Sequence, residues 1–174
     1  MCGICGYVGD HRPELLEPMA LAIRHRGPDA HGTYYGGPVA LGHRRLSIVD
    51  LSTAGQQPMS NETGDTWIVY NGEIFNHAAL RPDLERAGHR YHSHTDTETV
   101  LHSWEQHGPA CLDQFRGMFA FALWEVGSQT LFCARDRLGI KPFYYFWDGK
   151  TFAFASEIKA LLEHPGIPTA FEHT

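Results

Sequence analysis

Four strand-length stretches, MFAFALWE, TLFCARD, PFYYFWD and TFAFAS, follow one another over residues 118–156. Short links such as GSQ and DGK leave no room for a helical crossover, so neighbours in this run are predicted to pair antiparallel. Earlier segments carry the same signal: CGICGYV at the start, then GTYYG, PVALGHRRLSIV and TWIVYN. Helical spacing marks ELLEPMALAIRH, which ends before the turn RGPD, and then ALRPDLERAG and TETVLHSWEQHG, the last stopping on a glycine. SEIKALLEH closes as a short helix. Helices gathered in the middle with strands on either side predict an α+β fold, antiparallel sheet covered by helices.

At 174 residues the chain reads as one domain, long enough to bury a sizeable core. A formal charge of -6, with no clustered basic residues, argues against nucleic acid or an anionic membrane as the main partner. No stretch approaches the roughly 18 to 20 apolar residues of a membrane span, and no charged leader precedes an apolar run. Four cysteines at uneven spacing (Cys2, Cys5, Cys111, Cys133) do not suggest a disulfide framework, so a cytoplasmic location is expected. HPGIPTAF is rich in Pro and Gly and reads as the start of a linker. The expected division is a domain over 1–165, with 166–174 leading to a further domain or forming a free tail.

Cys2 and Cys5 form a C-x-x-C that admits three readings. A redox pair usually follows a strand inside a βαβ unit, and here the chain has only just begun. A structural zinc site needs four ligands, commonly with a second close pair, which Cys111 and Cys133 do not form. The run HRYHSH (His89, His92, His94) could chelate a metal, but the histidines are read as solvent-facing loop residues and no metal is expected. A nucleophile asks for less. With Met1 removed, Cys2 carries both a thiol and a free α-amine, whose ordinary pKa near 7.7 to 8.0 lets it act as base at working pH. Cys5 is then expected to be a small buried residue.

A thiol that attacks an amide needs an oxyanion hole and a grip on its substrate. Asn71-Gly72 alone reads as the turn of a hairpin. The functional reading uses the Asn71 side-chain amide and the Gly72 N–H as two donors, with glycine letting the substrate approach the backbone. Arg44 and Arg45 point to opposite faces of a strand, so one can face a pocket while the other meets solvent. An arginine fork suits a carboxylate. Asp96 begins a helix, where Thr95-x-x-Glu98 reads as a capping box, or else it receives a substrate ammonium. Together these pieces describe a pocket for an α-amino acid whose side-chain amide is cleaved, and glutamine fits.

Nine segments (MCGICG, RHRGPD, LGHRRLSIVDLS, GQQPM, VYNGEIFNH, DTETVL, GMFAFALWE, ARDRLGIKPFYY and FASEIKALL) resemble, in that order, the glutaminase domain of the asparagine synthetase B family. That family belongs to the class II glutamine amidotransferases. The resemblance covers residues 1 to about 165 and implies an N-terminal nucleophile hydrolase fold, a four-layer αββα sandwich with mostly antiparallel sheets. It implies Cys2 as nucleophile with its α-amine as base, and Asn71 and Gly72 as the oxyanion hole. Arg45 matches the group that binds the glutamine α-carboxylate, and Glu73 and Asp96 match those at its amino end. Ile48 and Val49 fall where backbone contacts to glutamine are expected, and Arg26 lies on a loop near the nucleophile or in a structural turn.

The implied reaction releases ammonia to a synthetase domain or subunit, with RDRLGIKP near the interface, and a homodimer is compatible with it. The pyrophosphate-binding S-G-G-x-D-S loop of that synthetase part is absent here, so no cofactor is expected for this chain, ATP and magnesium belonging to the synthetase. The alternatives are a silent regulatory subunit, or an acylase of the same fold acting on another amide.

Overall fold

A computed structural model of the chain describes residues 1–9, 12–48 and 50–169. Its centre is a pair of antiparallel sheets. The first has the order β2 (Ala30–Gly36), β3 (Val39–Arg45), β1 (Gly3–Val8), β9 (Phe152–Ala155) and β8 (Tyr144–Trp147). The second has the order β4 (Met59–Ser60), β5 (Thr66–Ile74), β6 (Gly117–Glu125) and β7 (Thr130–Arg135). Helices α1 (Leu16–Ala22) and α4 (Ile158–Leu161) cover the first sheet, and α3 (Asp96–His107), with α2 (His77–Arg86) packed beside it, covers the second.

Period-2 alternation sorts the side chains into three apolar layers. On β6, Phe119, Phe121 and Leu123 pack toward α3, while Ala120, Ala122 and Trp124 face the other sheet. From the first sheet, Ile4, Val39, Leu41 and Phe154 meet them between the sheets. Cys5, Tyr7 and Ala40 turn outward onto Leu16, Met19 and Leu161 of the α1 and α4 layer. This is the expected four-layer αββα arrangement. Each large side chain fully buried in it stabilises the fold by about 1.5–3 kcal/mol over exposure.

Local signals set the element ends. Thr95 caps α3, its Oγ1 accepting from the Glu98 N–H at 3.4 Å, and Gly108 ends the helix at a φ of 55°. The capping box closes differently from the expectation. The Glu98 carboxylate takes the N–H groups of His92 and Ser93 rather than that of Thr95. Among the described residues no helix is long and apolar enough to cross a membrane. The linker expected at 166–174 falls partly on residues 170–174, outside the described residues; in its described part, Ile167 packs against the α1 and α4 layer.

Candidate active site

The open end of the seam between the sheets holds a pocket, and Cys2 lies there because β1 starts one residue later. The Cys2 thiol rests against the backbone of Leu46, its Sγ 3.4 Å from the Leu46 N–H donor and 3.6 Å from the carbonyl. Leu46 directly follows β3, so the expected strand PVALGHRRLSIV stops at Arg45 and its tail turns to meet the thiol. Behind Cys2, Arg26 Nε donates to the Cys2 carbonyl at 3.0 Å, and its NH1 pairs with Glu157 at 3.1 Å. Burial opposes ionisation of Glu157, but hydrogen bonds from Lys159, Arg26 and His25 outweigh it and bring its pKa to about 2. Arg26 therefore fixes the backbone that carries the thiol, through a charge pair with a short α4-side loop.

Strand parity explains the two arginines. Arg45 shares a face with Val39 and Leu41 and lines the pocket, whereas Arg44 shares one with Ala40 and turns to α1. The expectation that the second arginine meets solvent is wrong. Arg44 is buried because α1 covers that face, its Nε donating to the Ala20 carbonyl at 3.0 Å and its NH2 to Glu17 at 3.3 Å. Arg45 donates to the carbonyls of Ser52, at 2.7 Å, and Asp50, and no carboxylate pairs with it among the described residues. Its guanidinium also fills the space a side chain at position 55 would need, so Gly55 is fixed by that arginine. The result is a cation anchored by neutral carbonyls, whose charge is left for a ligand.

The opposite wall comes from β5, which runs unbroken through Asn71-Gly72 to Ile74. The dipeptide is no hairpin turn, because β6 pairs with every residue from Thr66 to Ile74. Asn71 lies on the strand face that looks toward the other sheet, and its Nδ2 is buried with no hydrogen-bond partner. Gly72 shares the opposite parity. The Tyr70 N–H is taken by Gln57 Oε1 at 2.6 Å and the Ile74 N–H by Asp96 Oδ2 at 2.8 Å. Two residues from each, the Gly72 N–H points the same way, off the β6 edge and into the pocket. The structure adds a packing reason for glycine to the expected one. A Cβ at position 72 would stand 2.6 Å from the Met118 carbonyl oxygen and 2.8 Å from Phe119 Cα, so glycine is demanded by β6.

Asp96 is 5% exposed, and its Oδ2 accepts from the Tyr70 hydroxyl at 2.6 Å as well as from Ile74. Burial and the Asp96 charge raise the Tyr70 pKa well above the usual phenol range, so the hydroxyl remains a donor. Asp96 Oδ1 has no partner among the described residues. Glu73 and the 70%-exposed Ile48 complete the rim, while Val49 lies outside the described residues. Cys2, Arg45, Ile48, Asn71, Gly72, Glu73 and Asp96 thus share one pocket, and Arg26 stands just behind it. Sequence reasoning missed Gln57 and Tyr70, which align β5 against α3. GQQPM was a visible signal for the first, since Gln57 also donates to Thr97 Oγ1 at 3.1 Å. Leu46 left no signal, because it acts through its backbone.

Met1 lines the pocket too, with Lys141 Nζ 3.3 Å from its sulfur. Cys5 is fully buried and burial pushes its thiol up to about 12, which leaves Cys2 as the thiol of the site. All four cysteines are free.

A family model described as "Glutamine amidotransferase domain" matches residues 1–174. The chain is 42% identical to asparagine synthetase [glutamine-hydrolyzing] 3 of Bacillus subtilis, over 100% of this chain and 29% of that protein. It is 39% identical to putative asparagine synthetase [glutamine-hydrolyzing] 2 of Methanocaldococcus jannaschii, over 93% of this chain and 35% of the other. The chain therefore spans about a third or less of the length of these relatives. A glutamine phosphoribosylpyrophosphate amidotransferase from B. subtilis, solved with ADP and GMP, shares the fold at a TM-score of 0.78 and 22% identity, over 92% of this chain and 43% of that one.

Proposed function

The chain belongs to the class II glutamine amidotransferases, as a domain related to the glutamine-hydrolysing asparagine synthetases, and from that premise we propose that it hydrolyses glutamine to glutamate and ammonia through a thioester on Cys2. One observation carries the reading. A pocket with a thiol, an arginine free of carboxylates and a buried acid also contains an amide donor, Asn71 Nδ2, with no partner of its own. A buried unpaired donor is costly, by about 1–3 kcal/mol, and a site that keeps one for a developing oxyanion explains it.

After removal of Met1, the α-amine of Cys2 takes the thiol proton. The thiolate attacks the side-chain amide carbon of glutamine, and the oxyanion is held by Asn71 Nδ2 and the Gly72 N–H. Collapse breaks the C–N bond, and the ammonium proton passes to the leaving nitrogen, which departs as ammonia. Water, deprotonated by the same amine, then opens the thioester to glutamate and restores the thiol. Arg45 takes the substrate α-carboxylate, and Asp96 Oδ1 with Glu73 takes the α-ammonium. This head-group pair favours a free amino acid over other amides.

None of these steps uses a metal or a nucleotide. The ammonia is meant for a synthetase partner, fused or separate, where ATP and magnesium would activate a carboxylate; a cytoplasmic setting is part of the same proposal, and four free cysteines suit it. Intact mass before and after 6-diazo-5-oxo-norleucine tests the reading. The expected result is loss of Met1 and one adduct on Cys2. An adduct on another residue, or full turnover with Met1 retained, would overturn it.

A further inference from the structure

Far along α3 from the pocket, three ligand-type side chains converge. His102 and Glu105 stand on one face of α3, with His102 Nδ1 2.8 Å from Glu105 Oε2. His89, from the connection between α2 and α3, brings its Nδ1 to 3.6 Å from the same oxygen. One donor atom from each of the three lies within 4.8 Å of the others. The sequence singled out His89 with His92 and His94, but the latter two are exposed. His89 instead tucks against His102, ring centroids 4.9 Å apart.

The surroundings of His89 and Glu105 resemble those of a metal site. Ligating imidazoles usually give their second nitrogen to an oxygen acceptor, and ligating carboxylates are themselves hydrogen-bonded. His89 Nε2 lies 3.2 Å from Gln106 Oε1. Asn61 Nδ2 donates to Glu105 Oε1 at 2.7 Å, which turns Oε2 toward the histidines. His102 departs from that pattern: it is 1% exposed, and its buried Nε2 makes no hydrogen bond, with Glu98 Oε1 3.9 Å away. A plain ion pair between His102 and Glu105 accounts for one of these contacts. His89 also turns the nitrogen not used by Gln106 onto the same carboxylate oxygen, at 3.6 Å, beyond a hydrogen bond.

We propose that His89, His102 and Glu105 bind one divalent transition-metal ion of the zinc class through two imidazole nitrogens and one carboxylate oxygen. Two imidazoles with a single carboxylate suit zinc and its first-row neighbours, whereas calcium and magnesium favour oxygen-rich sets. The half-buried His89 and the exposed Glu105 leave one side open for a water as fourth ligand. The ion would pin the α2–α3 connection to α3. Its role is structural, independent of the glutaminase reading, because no ligand lines the Cys2 pocket.

The test uses the full chain without a histidine tag, in a Cys2→Ser background so that the pocket thiol does not compete. Metal-stripped protein is titrated with zinc against a chromophoric chelator, and thermal unfolding is followed in zinc and in EDTA. The expected result is one equivalent bound, with a higher Tm in zinc. His89→Ala and Glu105→Gln should each weaken binding by roughly tenfold to a hundredfold or more, by analogy with losses seen around known sites. Both ligands are partly exposed, so these variants keep the fold, whereas the buried His102 is left intact. Cobalt substituted for zinc should show visible d–d bands without the intense near-ultraviolet band of sulfur ligation. Absence of stoichiometric binding, or binding unchanged in both variants, would overturn the proposal.

Discussion

Gly72→Ala separates two reasons for a glycine beside the thiol. If glycine only lets substrate reach the backbone, alanine should leave stability alone and raise KM. The geometry argues otherwise. The new methyl would sit 2.6 Å from the Met118 carbonyl oxygen and 2.8 Å from Phe119 Cα and Cβ, all on β6. Real Cβ contacts stay at 3.0 Å or more, so the β5–β6 ladder must open by at least about 0.4 Å at that point. The clashing atoms are mostly β6 backbone, paired with β5 on one side and tied on the other at Phe119, whose N–H donates to Asp136 Oδ2 and whose carbonyl accepts from the Asp136 N–H, so they have no flexible end to swing away. Overpacking of this kind costs about 1–3 kcal/mol. For a domain of this size each kcal/mol lowers Tm by about 2–4 °C, so a fall of roughly 2–12 °C is expected. Shifting the Gly72 N–H also weakens an oxyanion donor, and complete loss of one such donor costs about 10²–10³ in kcat. Calorimetry and steady-state ammonia release on the same preparation measure both effects. An unchanged Tm with a large rise in KM would refute the packing argument.

Arg45→Lys replaces a planar fork with a point charge that cannot hold the Asp50 and Ser52 carbonyls and a carboxylate together. KM for glutamine should rise about 10- to 100-fold with a smaller change in kcat, and an unaltered KM in the ammonia assay would count against Arg45 as the carboxylate anchor. Acid should destabilise the fold through His43, whose Nε2–H serves the Tyr70 carbonyl at 3.2 Å and whose pKa burial lowers from 6.5 to about 3. The unfolded chain takes that proton below about pH 6.5 and the native state does not, so stability falls by roughly 1.4 kcal/mol per pH unit, about 2 kcal/mol by pH 5. Urea titrations from pH 6.5 to 5 should give a slope shallower by nearly one proton in His43→Gln, and parallel slopes would contradict the assignment.

The sequence by itself determined the elements and the chemistry-bearing residue types. Thr95 and Gly108 mark the ends of α3, and alternation along GMFAFALWE assigns Phe121 and Ala122 to opposite faces. Cys2 was legible as a terminal thiol, whereas parity only separated Arg44 from Arg45, and the choice of Arg45 and Asp96 came from the family resemblance. Only the tertiary structure decided what each group meets. Asn71-Gly72 has the chemistry of a turn and becomes straight strand because β6, more than forty residues later, pairs with it throughout. Arg44 has the parity of a solvent-facing residue and is buried because α1 lies over it. Asp96 finds Tyr70, and His89 finds His102, across separations that no local period encodes. Propensity and periodicity act over a turn of helix or two strand residues, whereas hydrogen-bond partners and desolvation are set by packing between distant segments.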